Sequence, residues 1–501
     1  MQAPVRVNPN PPKEILLRWL LALGCFASLI FFFSPTWGAF RVWSRVPEMG
    51  GMIEVRRGVS VLLQVEHPGI ELPDKLHAAI QWRLLFPVIG HLLHLPPAIF
   101  FALPGAGCVL VLAFIVTVLR RRGAGFGFAG LVAIVLGAGS WYFTSVCWLG
   151  YFDSWLVLGL LFVAFAETSW PVWLACAWAP WVDERFVLAL PLALLCRWVQ
   201  RTAAGKSFEW KQELGVPAGL AAAFVVVRLG VLGGKSAAGA TVGGYLNGLE
   251  TGGATGWRMA LGIWEGLRIG WLGVAAALLL LARERAILVG AVVVVLVAVG
   301  IGTAQDFSRA MMLVMPVALL GAVLAVGREA SFPRWLPGVA TVLALVLPAH
   351  HVMSNRVNPI FYFYHELASL ESPPPAVMPE LIELRAVGEM ERGEYARAAD
   401  DLTLAIRLAD NPAGPSRHRG MLAASLGHWE EAKHDFSTAV EHEPDNPEGW
   451  FLRAQAELAL HDLPAAQSDE QQARSLAPAD WPNRPDVARF LARMNQAGAG
   501  R

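Results

Sequence analysis

A chain of 501 residues that is 55% hydrophobic and 16% charged, with a mean hydropathy of +0.47, is too apolar for an ordinary soluble enzyme and belongs in a bilayer. Its formal net charge is zero, but the residues after Ser372 carry eight more acidic than basic side chains, which leaves the apolar part basic. An acidic tail on a membrane part argues against nucleic acid as a partner.

The first apolar run starts at Ile15, between Lys13 and Arg18, as a secretory leader might. It is about 19 residues long and ends in SPTW without a small-x-small cleavage site, so it reads as an uncleaved first membrane helix. Crossing a bilayer takes about 20 apolar residues. On that criterion about eleven helices are predicted, near 15–33, 98–119, 125–146, 153–167, 169–182, 186–201, 215–232, 265–282, 286–303, 308–326 and 335–350. The fourth to sixth are short and are interrupted by SWP and WVDER. With a cytoplasmic N-terminus, the inner loops collect Arg120, Arg121 and Arg122, then Arg197, Arg201 and Lys206, then Arg283 and Arg285, then Arg328 and Arg334. Lys and Arg concentrate on the cytoplasmic side of membrane proteins, so the chain beyond the eleventh helix is expected outside.

The first outer loop, residues 34–82, is long and carries Glu48, Glu54, Glu66, His67, Glu71 and Asp74. It leads into QWRLLFPVIGHLLHLPP, whose Arg83, His91, His94 and prolines suit a helix lying in the membrane interface. The outer loop near 233–265 is Gly-rich but lacks the spacing of a phosphate-binding loop.

The membrane domain is placed at 1–371, a Pro-rich linker at 372–377, and a soluble helical domain at 378–501. There Gly393, Gly427 and His461 are 34 apart, as are Ala398, Ala432 and Ala466, then Leu402, Phe436 and Glu470, then Ala405, Ala439 and Ala473. This pattern resembles the tetratricopeptide repeat (TPR), with Pro444 and Pro478 ending units as that family's proline does. It implies three repeats and a C-terminal helix, near the minimum for a stable solenoid. The expected fold class is therefore all-α, a polytopic transmembrane bundle followed by a soluble α-solenoid.

Ionisable groups at membrane depth are costly, so their placement is informative. On the threading above, the acids gather at the outer face: the loop glutamates, Asp153 in WLGYFDSW, Asp183 and Glu184 in WVDERF, and Asp306 in AQDFSR. Glu167, Glu284 and Glu329 are exceptions. Asp153 and Asp306 also fit simple helix caps, and Arg309 a snorkelling side chain. Arg185 and Arg309 sit at outer helix ends against the charge bias, and arginine suits a phosphate's bidentate recognition. His350 and His351 read as interfacial. His91 and His94 lack the H-E-x-x-H pattern of a zinc site. The five cysteines read as small core residues, and no GxSxG, SxxK or CxxC falls at a usable place.

Many helices, a long acidic first outer loop ending in an amphipathic stretch, and terminal repeats together resemble the GT-C superfamily of membrane glycosyltransferases. With the repeats, the architecture is similar to transmembrane O-mannosyltransferases and their bacterial relatives. The stretches WRLLFPVIG, YFDSWLVLGLL, DERFVLALPLALL and DFSRAMMLVMPVALL also look like those of bacterial membrane proteins allied to that superfamily. The family's Asp-Asp, Asp-Glu or Asp-x-Asp pair is missing from the first loop. The resemblance implies sugar transfer from a polyprenyl-phosphate donor in the membrane to a protein or glycan acceptor outside the cytoplasm, across a bacterial inner membrane with the repeats periplasmic. It implies Glu48 or Glu54 as the base that takes the acceptor's proton. Arg83, Arg185 and Arg309 would stabilise the departing phosphate, with Asp153 and Asp306 beside them. A divalent metal between phosphate and acid is neither demanded nor excluded. Two rival readings are a non-catalytic membrane scaffold whose repeats recruit envelope or secretion proteins, and a polysaccharide polymerase, ligase or flippase.

Overall fold

Backbone polar groups in hydrocarbon must be satisfied within the chain, so long apolar runs fold as helices, and among the described residues the regular structure is helical apart from one two-stranded hairpin. The structure, a computed structural model, describes residues 11–33, 53–70, 80–231, 256–303, 306–327, 333, 335–353, 357–360, 379–391, 393–409, 411–477, 481 and 490. Two compact units form, one built mainly on the helices up to the hairpin and one mainly on those from Pro379 onward.

In the first unit the helices are α1 (Pro11–Phe32), α2 (Ile53–Glu66), α3 (Leu85–Leu92), α4 (Pro97–Arg121), α5 (Phe126–Gly137) and α6 (Ser140–Cys147). Then come α7 (Asp153–Phe165), α8 (Trp170–Trp178), α9 (Arg185–Ala203), α10 (Val216–Val226), α11 (Gly256–Leu280), α12 (Arg283–Thr303), α13 (Phe307–Val326) and α14 (Leu336–Val346). Tight 3₁₀ turns interrupt α11 at Arg268–Gly270 and α13 at Met311–Val314. The hairpin pairs β1 (Ala349–Val352) antiparallel with β2 (Val357–Ile360).

Six of these helices, α1, α4, α9, α11, α12 and α13, are long and apolar enough to cross a membrane. The α5–α6 pair, bent by 73°, makes a seventh if it is one span. Six or seven candidate spans mark an integral membrane protein, but the count is lower than the eleven predicted. Hydropathy registers apolar residues and not where a helix breaks. The predicted fourth span is α7, with 13 residues, or about 20 Å of helix, against a hydrocarbon core of about 30 Å. The fifth is α8, nine residues long, and the eleventh is α14, with 11. The seventh is α10, 11 residues between π turns at Lys211–Gly215 and Val227–Val231.

Small residues let α11 and α13 approach closely. A Cβ added at Gly321 would run into the backbone of Gly273, one at Gly273 into that of Ala318, and one at Gly266 into Met311. Such backbone-to-backbone seams are how helices associate where lipid removes the hydrophobic driving force between them. Around them Trp141, Tyr142, Phe143, Phe186 and Leu319 are buried in one apolar core.

Among the described residues the predicted first loop holds α2, and α3 follows it. In α2, Val61 packs with Ile80, Phe86, Phe100 and Val182 in a separate apolar cluster that fixes α2 and α3 to the bundle. The predicted interfacial stretch is α3, and beside it Leu92 and Leu93 are exposed.

The second unit consists of three helix pairs: α15 (Pro379–Glu391) with α16 (Tyr395–Leu408), α17 (Ala413–Ser425) with α18 (Trp429–His442), and α19 (Pro447–Ala459) with α20 (Leu463–Leu476). The 34-residue spacing has a physical basis here. Ala398, Ala432 and Ala466 are buried without exposure, as are Ala405 and Ala473. Gly393, Gly427 and His461 turn the chain within each pair at φ of 78°, 81° and 63°. A left-handed backbone costs a side-chain-bearing residue about 1 kcal/mol more than glycine. His461→Gly is therefore expected to raise the stability of this unit by about 0.5–1 kcal/mol, measured on its transition in denaturant melts of the whole protein. The ion pair Arg419–Asp435 recurs one repeat later as Arg453–Asp469. The predicted linker 372–377 and C-terminal helix lie outside the described residues.

Candidate functional site

The chain before α7 reads WLGYFDSW, and its Gly150 takes φ 79° so that the strand of residues entering α7 can turn tightly against α2. A Cβ at Gly150 would press on Val61 and on the Arg57 carbonyl. This turn sets Asp153 in the first turn of α7, buried, with its carboxylate facing α6, α9 and α13.

Asp153 Oδ2 accepts from Thr144 Oγ1 and Arg309 Nε, both at 2.6 Å, and Oδ1 accepts from Arg309 Nη2 at 2.6 Å and Arg185 Nη2 at 3.4 Å. Asp183, in the turn before α9, accepts from Arg185 Nε at 2.9 Å and Nη2 at 2.6 Å, and lies 2.8 Å from Arg83 Nη1. Arg83 also donates to both oxygens of Glu184, at 2.9 and 3.1 Å. Asp306 caps α13 by accepting from the Arg309 amide at 3.1 Å, and its Oδ2 lies 3.1 Å from His351 Nε2. Tyr151 stacks beneath two guanidiniums, those of Arg57 at 3.8 Å and Arg309 at 4.7 Å.

Burial by itself would raise the Asp183 carboxyl, but Arg185 and Arg83 outweigh it and hold the group well below the usual carboxylate range. Asp306 is lowered too, with His351 and Arg309 outweighing its burial. Burial pushes down the Arg57 guanidinium, to about 10; Tyr151 and Asp153 oppose this, and the neighbouring cations Arg309 and Arg83 add to it.

Arg83, Asp153, Arg185, Asp306 and Arg309, singled out on the sequence from four separated segments, thus form one connected network. Each arginine is already matched to a carboxylate. The simple readings hold for one residue of three. Asp306 is a helix cap as well as a network member. Asp153 caps nothing, since Phe152 occupies that position, and Arg309 is buried and does not snorkel. Glu48 lies outside the described residues, and Glu54 is in the first turn of α2, where only its backbone is described.

Sequence reasoning noted Asp183 and Glu184 without giving them a role, although their place beside Arg185 in WVDERF was the available signal. His351, read as interfacial, is 3% exposed and stands edge-on to Trp148 at 4.0 Å. Ser308, His351 and Asp306 have the composition of a nucleophilic triad, with Ser308 Oγ 3.2 Å from His351 Nδ1. Ser308 is fully buried, however, and its hydroxyl accepts the Val352 amide, so it is a structural clasp on the hairpin. Its neighbour His350 turns the other way, to Glu265 at 2.9 Å, beside the buried Arg268.

Among the described residues no group of three or more His, Cys, Asp or Glu side chains could hold a metal ion. The network carboxylates accept from the protein's own arginines, so their donor set does not fit a divalent ion. No model of a known protein family matches the sequence, and no curated protein is similar to it.

Proposed function

We propose that this chain is a membrane glycosyltransferase of GT-C type, moving a sugar from a polyprenyl phosphate to an acceptor outside the cytoplasm, with its helix pairs acting as tetratricopeptide repeats that bind the acceptor or a partner. The observation that carries this reading is the convergence of Arg83, Asp153, Arg185, Asp306 and Arg309 at one end of the bundle. Bringing several charges out of water costs several kcal/mol each before pairing. A plain anchor needs no such cluster, whereas a site for a charged headgroup does.

The polar contacts also support the predicted threading. Glu14 pairs with Arg120, Arg121 with Glu167, Arg122 with Gln200, and Arg197 with Glu213. All of these are ends predicted to be cytoplasmic. The acidic network joins only ends predicted to be outer. Eleven traverses, some by helices too short to span alone and shielded by neighbours, fit this sorting. The repeats then follow on the outer side, and the membrane is a bacterial inner membrane.

The scaffold reading draws on a different observation, that Arg83, Arg185 and Arg309 are all neutralised by carboxylates without any ligand. The two part on activity. Purified protein is expected to transfer label from a polyprenyl-phosphate sugar, and Glu48→Gln or Glu54→Gln to lower the rate about 10²–10⁴-fold if that glutamate is the base. No transfer by the wild type to any acceptor tried would favour the scaffold, and equal rates in wild type and both variants would remove the glutamates from catalysis.

A further inference from the structure

Two cations of this region have no salt-bridge partner among the described residues. Arg57, on α2, is 8% exposed, and among the described residues its only hydrogen bond runs from Nε to the Gly150 carbonyl at 3.1 Å. It stacks on Tyr151 and lines a cavity of about 20 Å³ together with Gln64, Arg83, Gly150, Asp153 and Asp183. The two acids in that wall are taken, Asp153 by Arg309 and Asp183 by Arg185 and Arg83. A second cation without an acid, Arg228, lies over Trp82 next to Arg83, and its Nη1 is buried with no hydrogen-bond partner. Counting both, the described residues of this region hold five arginines (57, 83, 185, 228 and 309) against four carboxylates (153, 183, 184 and 306).

We infer that Arg57 is the anion contact of this protein, binding the phosphate group of a lipid phosphate in the cavity it shares with Gln64 and Arg83. A mostly buried guanidinium with no acid of its own has donors left for an anion, and a phosphate oxygen is the acceptor its fork geometry fits best. The cavity admits little more than a water as it stands, so entry of a phosphate requires α2 to move outward. This inference deepens the transferase reading by naming the phosphate contact, but it concerns binding and stands without turnover.

The test uses the full-length protein in detergent, with undecaprenyl phosphate, undecaprenol and inorganic phosphate as probes, and the variants R57M and R309M. Undecaprenyl phosphate is expected to bind the wild type, and R57M to weaken it about 10- to 100-fold, the loss of a charged hydrogen bond. Undecaprenol binding should be the same in both. Inorganic phosphate should compete weakly with the lipid phosphate in wild type and not in R57M, which separates the headgroup's contribution from the tail's. Without ligand, R57M should melt no lower than wild type, because it removes a charge that nothing matches, while R309M should melt well below it. A lower melting temperature for R57M with lipid-phosphate affinity unchanged would overturn the inference and make Arg57 a structural residue. Wild type that binds inorganic phosphate as tightly as the lipid phosphate would overturn the assignment to a lipid. Loss of transfer activity with lipid-phosphate binding intact would count against the transferase reading alone.

Discussion

Asp153→Ala is expected to destabilise the membrane unit by about 3–5 kcal/mol, because it leaves the buried Arg309 guanidinium without its bidentate partner. The contacts that remain make the sign plain. Arg309 keeps only looser ionic contacts, Asp183 Oδ2 at 3.7 Å from Nη2 and Asp306 Oδ2 at 3.8 Å from Nε, while Thr144 is left with the Ser140 and Trp141 carbonyls. The measurement is reversible unfolding in mixed detergent, read by tryptophan fluorescence. A double-mutant cycle sharpens it. Asp153→Ala with Arg309→Ala removes both charges, so the pair should cost less than the sum of the two single changes by about 1–3 kcal/mol. Strict additivity would mean that the two side chains do not pair in the folded protein.

Gly321→Val is expected to have an effect of similar size by a different route. Overpacking a core against mobile side chains costs about 1–3 kcal/mol, but the Cβ at Gly321 meets the backbone of Gly273 and Ala277, which cannot rotate away. The α11 and α13 backbones would have to separate along the seam, and a loss of about 3 kcal/mol or more should follow. Gly105→Val is the control, since its Cβ would find only Phe26 at an ordinary 3.8 Å and should cost less than about 1 kcal/mol. Equal losses at the two sites would show that the seam is not specially tight.

Much of this was legible in the sequence because its cause is local. The 34-residue spacing reflects buried alanines and left-handed turns, both properties of single positions, so Gly393, Gly427 and His461 announced their role. The network residues were legible because a charge near an apolar helix end must have a reason, and Asp153, Arg185, Asp306 and Arg309 each sit at one. Arg57 was not legible. It falls in a segment read as a loop, and only the helical phase of α2, which sets Arg57 one turn from Val61 on the face that lines the cavity, gives it a role. Fewer long, unbroken helices than the eleven predicted spans are found for a related reason. Between α5 and α6 the chain bends by 73°, and at the π turns the hydrogen-bond register changes within a continuing helix, neither of which alters composition.

The distance along the chain between Asp153 and Arg309, 156 residues, fixes an order of assembly. At about 5–20 residues per second a ribosome makes Arg309 roughly 8 to 30 seconds after Asp153. Through that interval the partners available to Asp153 are Thr144, nine residues back, and Arg185, 32 residues on. In the folded protein Arg309 takes both carboxylate oxygens and Arg185 keeps only the longer 3.4 Å contact. The insertion machinery would hold a nascent bundle that is complete in its first nine helices yet electrostatically unfinished until its thirteenth.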